Sequence, residues 1–547
     1  MRLPLATLLI GALTVGCGHV PSIPSVPEGQ SPQTSCTGIR VSPGNAPKVQ
    51  RLLDGNPPGT RFCFEPGTYR FATPIVPKSG QQLIGTGAGT MLDGAKIVSG
   101  FVRSGSEFVA PGFLRGDHLS SENCIAPRSG CNTPQDVFLD GEPLRRVTSL
   151  SELVSGTFYE DFAHNRIWLH NDPVRHIVEQ AYASALVQSN RGGVVITGFV
   201  VELAANPAQY GAIDAVNYTG SGWRVERNII RYNHAAGVFL GPAGESQGGS
   251  SVAHNLISGN GQEGIAGYGS GHVISDNEIT GNDRVGYSAS WECGGAKFGG
   301  GNGHEVERLT VTGNNIHDNA CNGFWIDING YDITFSGNTI VDNAQRLPGR
   351  RQRIGAGILL EISDRAVVTN NDVERNGPAG TLRDQSNFYL GGQIEIAGTA
   401  NVEVYGNRVI GGGGIGMLEQ DRTDSCTFGR SHSPLYPDGT PVCPYRYHFC
   451  RSEQDCAPNY SHWTHDNRIH GNRIEETEPP GYAEIAGLDC DMRPDGAAFA
   501  AKNANLYLDN NYVLPDARGA YFTWENVLNT VREWRGFGQD AGSHFKT

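Results

Sequence analysis

Three short phrases in this chain set one acid between two aliphatic residues: Ile326-Asp327-Ile328, Leu360-Glu361-Ile362 and Ile394-Glu395-Ile396. They are evenly spaced. One period earlier stands Trp291-Glu292-Cys293-Gly294-Gly295-Ala296-Lys297, with His304 soon after, and Trp325 lies two residues before Asp327. These residue types suit work on sugars. A pair of carboxylates can act as acid and base on a glycosidic bond. Alternatively, carboxylates hold Ca2+ against a uronic acid while Lys297 or His304 removes a proton from carbon. Glu292, Lys297, His304, Asp327, Glu361 and Glu395 are therefore candidate catalytic residues. Trp291 and Trp325 would stack on sugar rings, with Arg351 beside them as a third substrate-binding candidate. Singly, each acid is better explained as a turn cap or an arginine partner than as a catalytic group. Together with Trp, Lys and His they favour a functional site.

Such a site needs elements that hold the acids in line. If the flanking aliphatics point inward, strand alternation turns each acid outward. A second phrase, Asn-x-aliphatic, recurs at Asn228, Asn255, Asn277, Asn314, Asn338, Asn371, Asn407, Asn472 and Asn511. The intervals between its main copies run from 22 to 37 residues. Between copies lie apolar phrases such as Gly237-Val238-Phe239-Leu240 and Gly357-Ile358-Leu359-Leu360. Strands this short must stack coil on coil to bury a face, and longer intervals fit coils that carry loops. Asparagine at each turn would take left-handed backbone angles and bond to its copies in a ladder. Stacking places Asp327, Glu361 and Glu395 in one outward column at steps of about 4.8 Å, extended by Glu292 and by Leu418-Glu419-Gln420. Like charges so close repel. A cation, a shared proton or nearby basic groups (Lys297, His304, Arg350, Arg351, Arg353) must offset them. Asp214 reads either as an earlier start to the acid column or, the favoured reading, as an isolated surface acid, and His317-Asp318 as part of a turn.

The whole chain agrees with an exported all-β protein. It has 547 residues, 38% of them hydrophobic, and 74 glycines, too apolar for disorder and rich in turns. The net charge of −14 argues against a nucleic-acid partner, though a local basic patch could hold an acidic sugar polymer. Residues 1–17 read as a lipoprotein-type export signal ending at Cys17, the lipidated residue, because the run Leu5 to Val15 is too short to span a bilayer. Residues 18–35, with Pro21, Pro24, Pro27 and Pro32, read as a tether. Membrane contact would then come only through the lipid, on a monomer in the cell envelope; without it the chain is secreted. Of 12 cysteines, Cys36/Cys63, Cys124/Cys131 and Cys293/Cys321 are plausible pairs in an oxidising compartment. Cys426, Cys443, Cys450, Cys456 and Cys490 leave an odd thiol.

The segments Pro58-Gly59-Thr60…Phe64-Glu65-Pro66-Gly67-Thr68-Tyr69 and Gly80…Leu83-Ile84-Gly85…Leu92-Asp93-Gly94, together with the asparagine repeat, resemble right-handed parallel β-helix proteins of the pectin-lyase-like superfamily. Val137-Phe138-Leu139-Asp140-Gly141 with Gly156-Thr157-Phe158-Tyr159, and Glu533-Trp534-Arg535 near the end, are similar to segments of its secreted members. The Trp291-to-Lys297 phrase with Phe324-Trp325-x-Asp327 resembles a secreted bacterial subgroup whose reaction is unsettled. The resemblance implies a right-handed parallel β-helix over residues 36–524, with a Cys-rich insertion at 421–465 and a short capping helix within 525–547. The motif sets of polygalacturonases and pectate lyases are missing, so neither activity transfers by residue. Two functions stand as expectations: a polysaccharide lyase or glycoside hydrolase acting on an extracellular polysaccharide, or a non-catalytic cell-surface solenoid for glycan binding or adhesion.

Overall fold

The computed structural model describes residues 36–126, 128–215, 221–241, 249–289, 291–299, 306–328, 330–346, 353–377, 392–419, 464, 466–480, 486–490, 504–524 and 527–547. The expected export signal, the tether, Cys17, His304, Arg351 and the Cys-rich insertion (apart from Thr464) lie outside them. Among the described residues no helix is long and apolar enough to cross a membrane.

Each coil contributes one strand to each of three long parallel sheets, of 15, 13 and 12 strands among the described residues. The stacking register is continuous. In the first sheet Phe62, Leu83, Ile196, Val225 and Val252 lie opposite one another, all fully buried. In the third sheet the inward column includes Val238, Ile265, Ala296, Phe324, Ile358 and Ile394. These columns join into one core along the solenoid axis. Short strands suffice because every coil buries its aliphatics against two neighbours.

Buried asparagines hold the turns in two ladders. In the first, each side-chain amide donates to the next side-chain oxygen: Asn228 to Asn255 at 3.1 Å, Asn255 to Asn277 at 2.9 Å, and on through Asn407 to Asn472 at 3.0 Å. The last rung is Asn510, at 3.1 Å, rather than Asn511, which sits on the strand opposite Arg473. The second ladder runs five residues later, through Asn233, Asn260, Asn282, Asn319, Asn343 and Asn376 to Gln393. The ladder asparagines are not the left-handed residues. That conformation falls one residue earlier, at Arg227, His254, Asp276, Asn370 and Asp509, with φ between 51° and 56°. The left-handed residue makes the corner, which frees the asparagine to point along the axis.

Residues 95–181 leave the solenoid, a departure from the unbroken β-helix expected there. They form a four-stranded and a five-stranded sheet. Their own core contains Ala110, Val137, Phe158, Ile167 and Leu169. The coils on either side close over the gap, with Leu83 opposite Ile196 and Leu92 opposite Val201. Helix α1 (Ala46–Asp54), capped by Asn45, buries Val49 and Leu53 on the first coil. At the far end α2 (Val531–Gly536) begins with a Thr530/Glu533 capping box. Its Trp534 is fully buried 5.2 Å from Tyr507 and 5.3 Å from Phe522, closing the core as the capping segment was expected to do. All three expected disulfides form: Cys36–Cys63, Cys124–Cys131 and Cys293–Cys321. They are bonds of an exported chain.

Candidate functional site

The third sheet positions the site. A glycine near the start of its strands lies against the second ladder: a Cβ on Gly323 would sit 2.5 Å from Gly357 O and 3.1 Å from Asn343 Nδ2. The glycine fixes the register for the rest of the strand. Two residues on, Lys297, Trp325, Leu359 and Glu395 form one outward column across adjacent coils. Asp327 comes after Ile326, just past the strand end.

Lys297 is the hub. Its Nζ lies 2.9 Å from Glu292 Oε1 and 2.9 Å from Asp327 Oδ2 of the next coil. It also sits 3.8 Å from the centroid of the Trp325 ring. The lysine is only 6% exposed. Burial pushes its pKa down, but Asp327 and Glu292 outweigh burial and hold it above the ordinary lysine value. With no ligand bound, the geometry holds Lys297 as an ammonium between two carboxylates. Glu292 is fixed in turn: Gln209 Nε2 donates to its Oε2 at 2.5 Å, Gln262 Nε2 donates to its backbone O at 3.2 Å, and the Cys293–Cys321 disulfide ties its neighbour to the next coil. A Cβ on Gly299 would lie 1.7 Å from Asp327 O, so the chain leaving Lys297 passes against Asp327 with no room for a side chain.

The acids do not form the single column expected. Asp327 and Glu361 share a position, since Ile326 lies opposite Leu360, but Glu361 lies opposite Ala397 and Glu395 opposite Leu359. The similar triplets mislead because the strand holding Glu395 is shifted by two residues. Nor are the acids open to solvent: Glu361 is fully buried and Glu395 is 5% exposed. Trp325 is 1% exposed and lies in an apolar cluster with Ala356, Leu359, Ala397 and Leu418, with Lys297 on its ring, so it cannot stack on a sugar as expected. Trp291 is half-buried against Tyr287, with ring centroids 5.5 Å apart. Asp214 heads the outward column rather than standing on the surface; burial raises its pKa to about 7, against a hydrogen bond from Gln188. Ile328 (φ 22°) and Ile362 (φ 47°) are β-branched residues in the left-handed region, directly after Asp327 and Glu361. Strain of this kind costs on the order of 1–3 kcal/mol and gathers at functional sites.

Sequence reasoning missed Glu263. It is buried, and its pKa is raised well above the carboxylate range by burial first and then by Glu292 and Asp283, with Lys297 acting against them. The signal was in the repeat: Glu263 stands opposite Gly294, which stands opposite Asn322, so an acid takes a position where the next two coils carry a glycine and an asparagine. Asp283, Cys293 and Cys321 bring a carboxylate and two sulfurs together, but the sulfurs form a disulfide and offer no metal-ligand set. A Ca2+ ion between Glu292 and Asp327 would have to displace Lys297.

Residues 214–408 match the family described as a right handed beta helix region. No curated protein sequence matches the chain significantly. Among solved structures, the chain is similar to that titled "The complex structure of XylC with xylose", with 14% identity, coverage of 93% of this chain and 86% of that one, and a TM-score of 0.63. It is also similar to a mannuronan C-5 epimerase A-module from Azotobacter vinelandii, with 11% identity, coverage of 92% and 93%, and a TM-score of 0.44. Likeness at such identities is a likeness of fold. With its three continuous parallel sheets, its buried asparagine ladders and the match over residues 214–408, the chain folds as a right-handed parallel β-helix.

Proposed function

We propose that the chain is a carbohydrate-active enzyme that cleaves an extracellular polysaccharide, with Glu292, Lys297, Asp327 and Glu263 at its centre. One observation carries the reading: a nearly buried ammonium, Lys297, stands between two carboxylates, Glu292 and Asp327, on the outer face of a sheet whose neighbouring positions are apolar. Packing alone gives no reason to bury these ionisable groups there, and perturbed groups concentrate where chemistry is done. Glu292 and Asp327 converge on one ammonium, and a carboxylate pair held together can act as acid and base on one glycosidic bond. Lys297 would stabilise negative charge as it develops, and Glu263 would deliver a proton to the leaving oxygen. Glu361 and Glu395 flank this centre on the coils beyond it. The xylose complex shares the fold and holds a sugar, which agrees with this reading.

The burial of Trp325 and Glu361 supports the second reading, a non-catalytic glycan-binding solenoid on the cell surface. Both readings take an exported chain, and we extend the proposal to lipid anchoring at Cys17. The deciding experiment incubates the protein with a panel of uronic and neutral glycans, with and without Ca2+, and tracks reducing ends and the ultraviolet absorbance of unsaturated products. New ends with unsaturation mark a lyase, and new ends without it mark a hydrolase. Wild-type protein that cleaves nothing on the panel overturns the enzyme reading.

A further inference from the structure

A cleft of about 1270 Å3 opens between the 95–181 insertion and the solenoid coils. Lys297 does not line it. The insertion contributes Arg128, Arg145 and Arg146, and the coils contribute Arg284, Arg346 and Arg353. Six arginines in one cleft are notable in a protein of net charge −14.

Two of the six belong to the floor. Arg284 and Arg146 converge on buried Asp136, at 2.6 and 3.5 Å, beside His234 at 3.1 Å. The other four form no ion pair among the described residues. Arg128 and Arg353 are held by carbonyls instead: Arg128 Nη1 donates to Arg284 O at 2.9 Å, and Arg353 Nη2 to Asp342 O at 3.3 Å. Arg353 Nε is buried without a partner. The acids along the walls are otherwise engaged. Asp342 pairs with Arg375 at 2.9 Å, Asp318 with His317 at 2.8 Å, and Glu152 accepts from Thr148 and Ser149. Asp283 is pushed well above the carboxylate range by burial. Burial, and beyond it the Arg145 and Arg284 charges, lower Arg128 against Asp283; burial likewise lowers Arg353, with Arg346 adding to it. Such repulsion costs folding energy that a polyanion would recover.

The shape of the cleft narrows the ligand. Pockets for drug-sized molecules hold about 300–1,000 Å3, and a larger open cleft suits an oligomer. Guanidinium forks match carboxylates two bonds at a time. We propose that this cleft binds an acidic oligosaccharide, with its uronate carboxylates held by Arg128, Arg145, Arg346 and Arg353. The sugar part of this assignment rests on the polysaccharide reading, and the anionic part rests on the arginines. The chain segment from Asp283, on the cleft wall, to Glu292, on Lys297, would link the two sites.

Calorimetric titration of the full chain tests it, with an oligouronate, a neutral xylo-oligosaccharide of equal length and tripolyphosphate as probes. Arg346→Gln changes an exposed side chain and Arg128→Gln removes one bond to the Arg284 carbonyl, and both should leave the circular dichroism spectrum unaltered and the protein folded at the titration temperature. The oligouronate should bind, more weakly as salt rises, and each variant should lower its affinity about tenfold. Arg51→Gln, on α1, should change nothing. Equal binding of the neutral probe, tighter binding of tripolyphosphate, no binding of the oligouronate, or affinity indifferent to both arginines overturns the proposal. A protein that binds oligouronate through these arginines yet cleaves no glycan keeps this site and loses the enzyme reading. One that cleaves glycans but fails the titration does the reverse.

Discussion

Lys297 of one coil and Asp327 of the next make a 2.9 Å ion pair on the outer face of the third sheet. Their side chains are only 7% and 11% exposed. Removing one partner of a buried pair leaves an unpaired buried charge, which costs about 3–5 kcal/mol. Lys297→Met should therefore lower stability by about that amount, since Glu292 also loses its partner. Asp327→Asn should cost less, because Glu292 still holds the ammonium. Combining the two should cost less than the sum of the single losses. Urea denaturation of the four proteins checks this, and additive losses would show that the pair is not coupled. Glycan cleavage should disappear in both single variants.

Stability should fall as pH rises through the weakly acidic range. Burial raises Asp214 from 3.8 to about 7, opposed by the Gln188 hydrogen bond, and raises Glu160 from 4.5 to about 7, opposed by Arg146. In that window the folded state keeps protons that the unfolded chain has released, so raising the pH favours unfolding. Lys297 acts at the other extreme: its contribution is complete below the ordinary lysine pKa of 10.5 and is lost as pH climbs through its higher folded value. Asp214→Asn should flatten the slope between about pH 4 and pH 7. Denaturation midpoints across that range read it directly, and an unchanged slope would mean that Asp214 is not protonated in the fold.

Much of this was legible in the sequence, for a physical reason. The solenoid repeats itself, so the asparagine phrases and the aliphatics of each coil exposed both fold and register: all but the last rung of the first ladder fall where the phrase puts them. The Lys297 neighbourhood was legible because Glu292, Lys297, Trp325 and Asp327 lie one coil apart. Self-comparison failed where the repeat slips. A shift of two residues takes Glu395 out of the Asp327–Glu361 position, although the triplets are nearly the same. Burial of an outward face cannot be read from alternation, so Trp325 and Glu361 were expected in solvent. The 95–181 insertion was invisible as a unit because its strands carry the same alternation as the coils.

The second ladder predicts a sharp local cost. Asn282 Nδ2 donates to Asn319 Oδ1 at 2.8 Å, and its own Oδ1 accepts from Asn260 Nδ2 at 3.1 Å and from Asn260 N at 3.0 Å. Asn282→Ala strands these buried groups, at about 1–3 kcal/mol for each one left unpaired. Asn282→Asp keeps the acceptor but places a charge in the ladder, and should be worse. Thermal melting should rank wild type above Ala and Ala above Asp. A neutral Asn282→Ala would mean that water replaces the rung.

The Cys293–Cys321 disulfide offers a way to separate the fold from the site. It closes a span of 28 residues between adjacent coils, directly beside Glu292. A loop of that size loses about 3–4 kcal/mol of unfolded-state entropy when closed. The coils remain joined by the strand pairing of Gly294 with Asn322 and by the ladder at Asn282 and Asn319. The paired Cys293→Ser, Cys321→Ser variant should therefore fold with a lower melting temperature and an unchanged far-ultraviolet spectrum. Glu292 should suffer more than the fold, because Gln209 alone then fixes its carboxylate from outside the coil. On any glycan that the wild type cleaves, the variant should lose turnover well below its melting temperature. If turnover survives until the protein melts, Glu292 owes its position to Lys297 and Gln209 rather than to the disulfide.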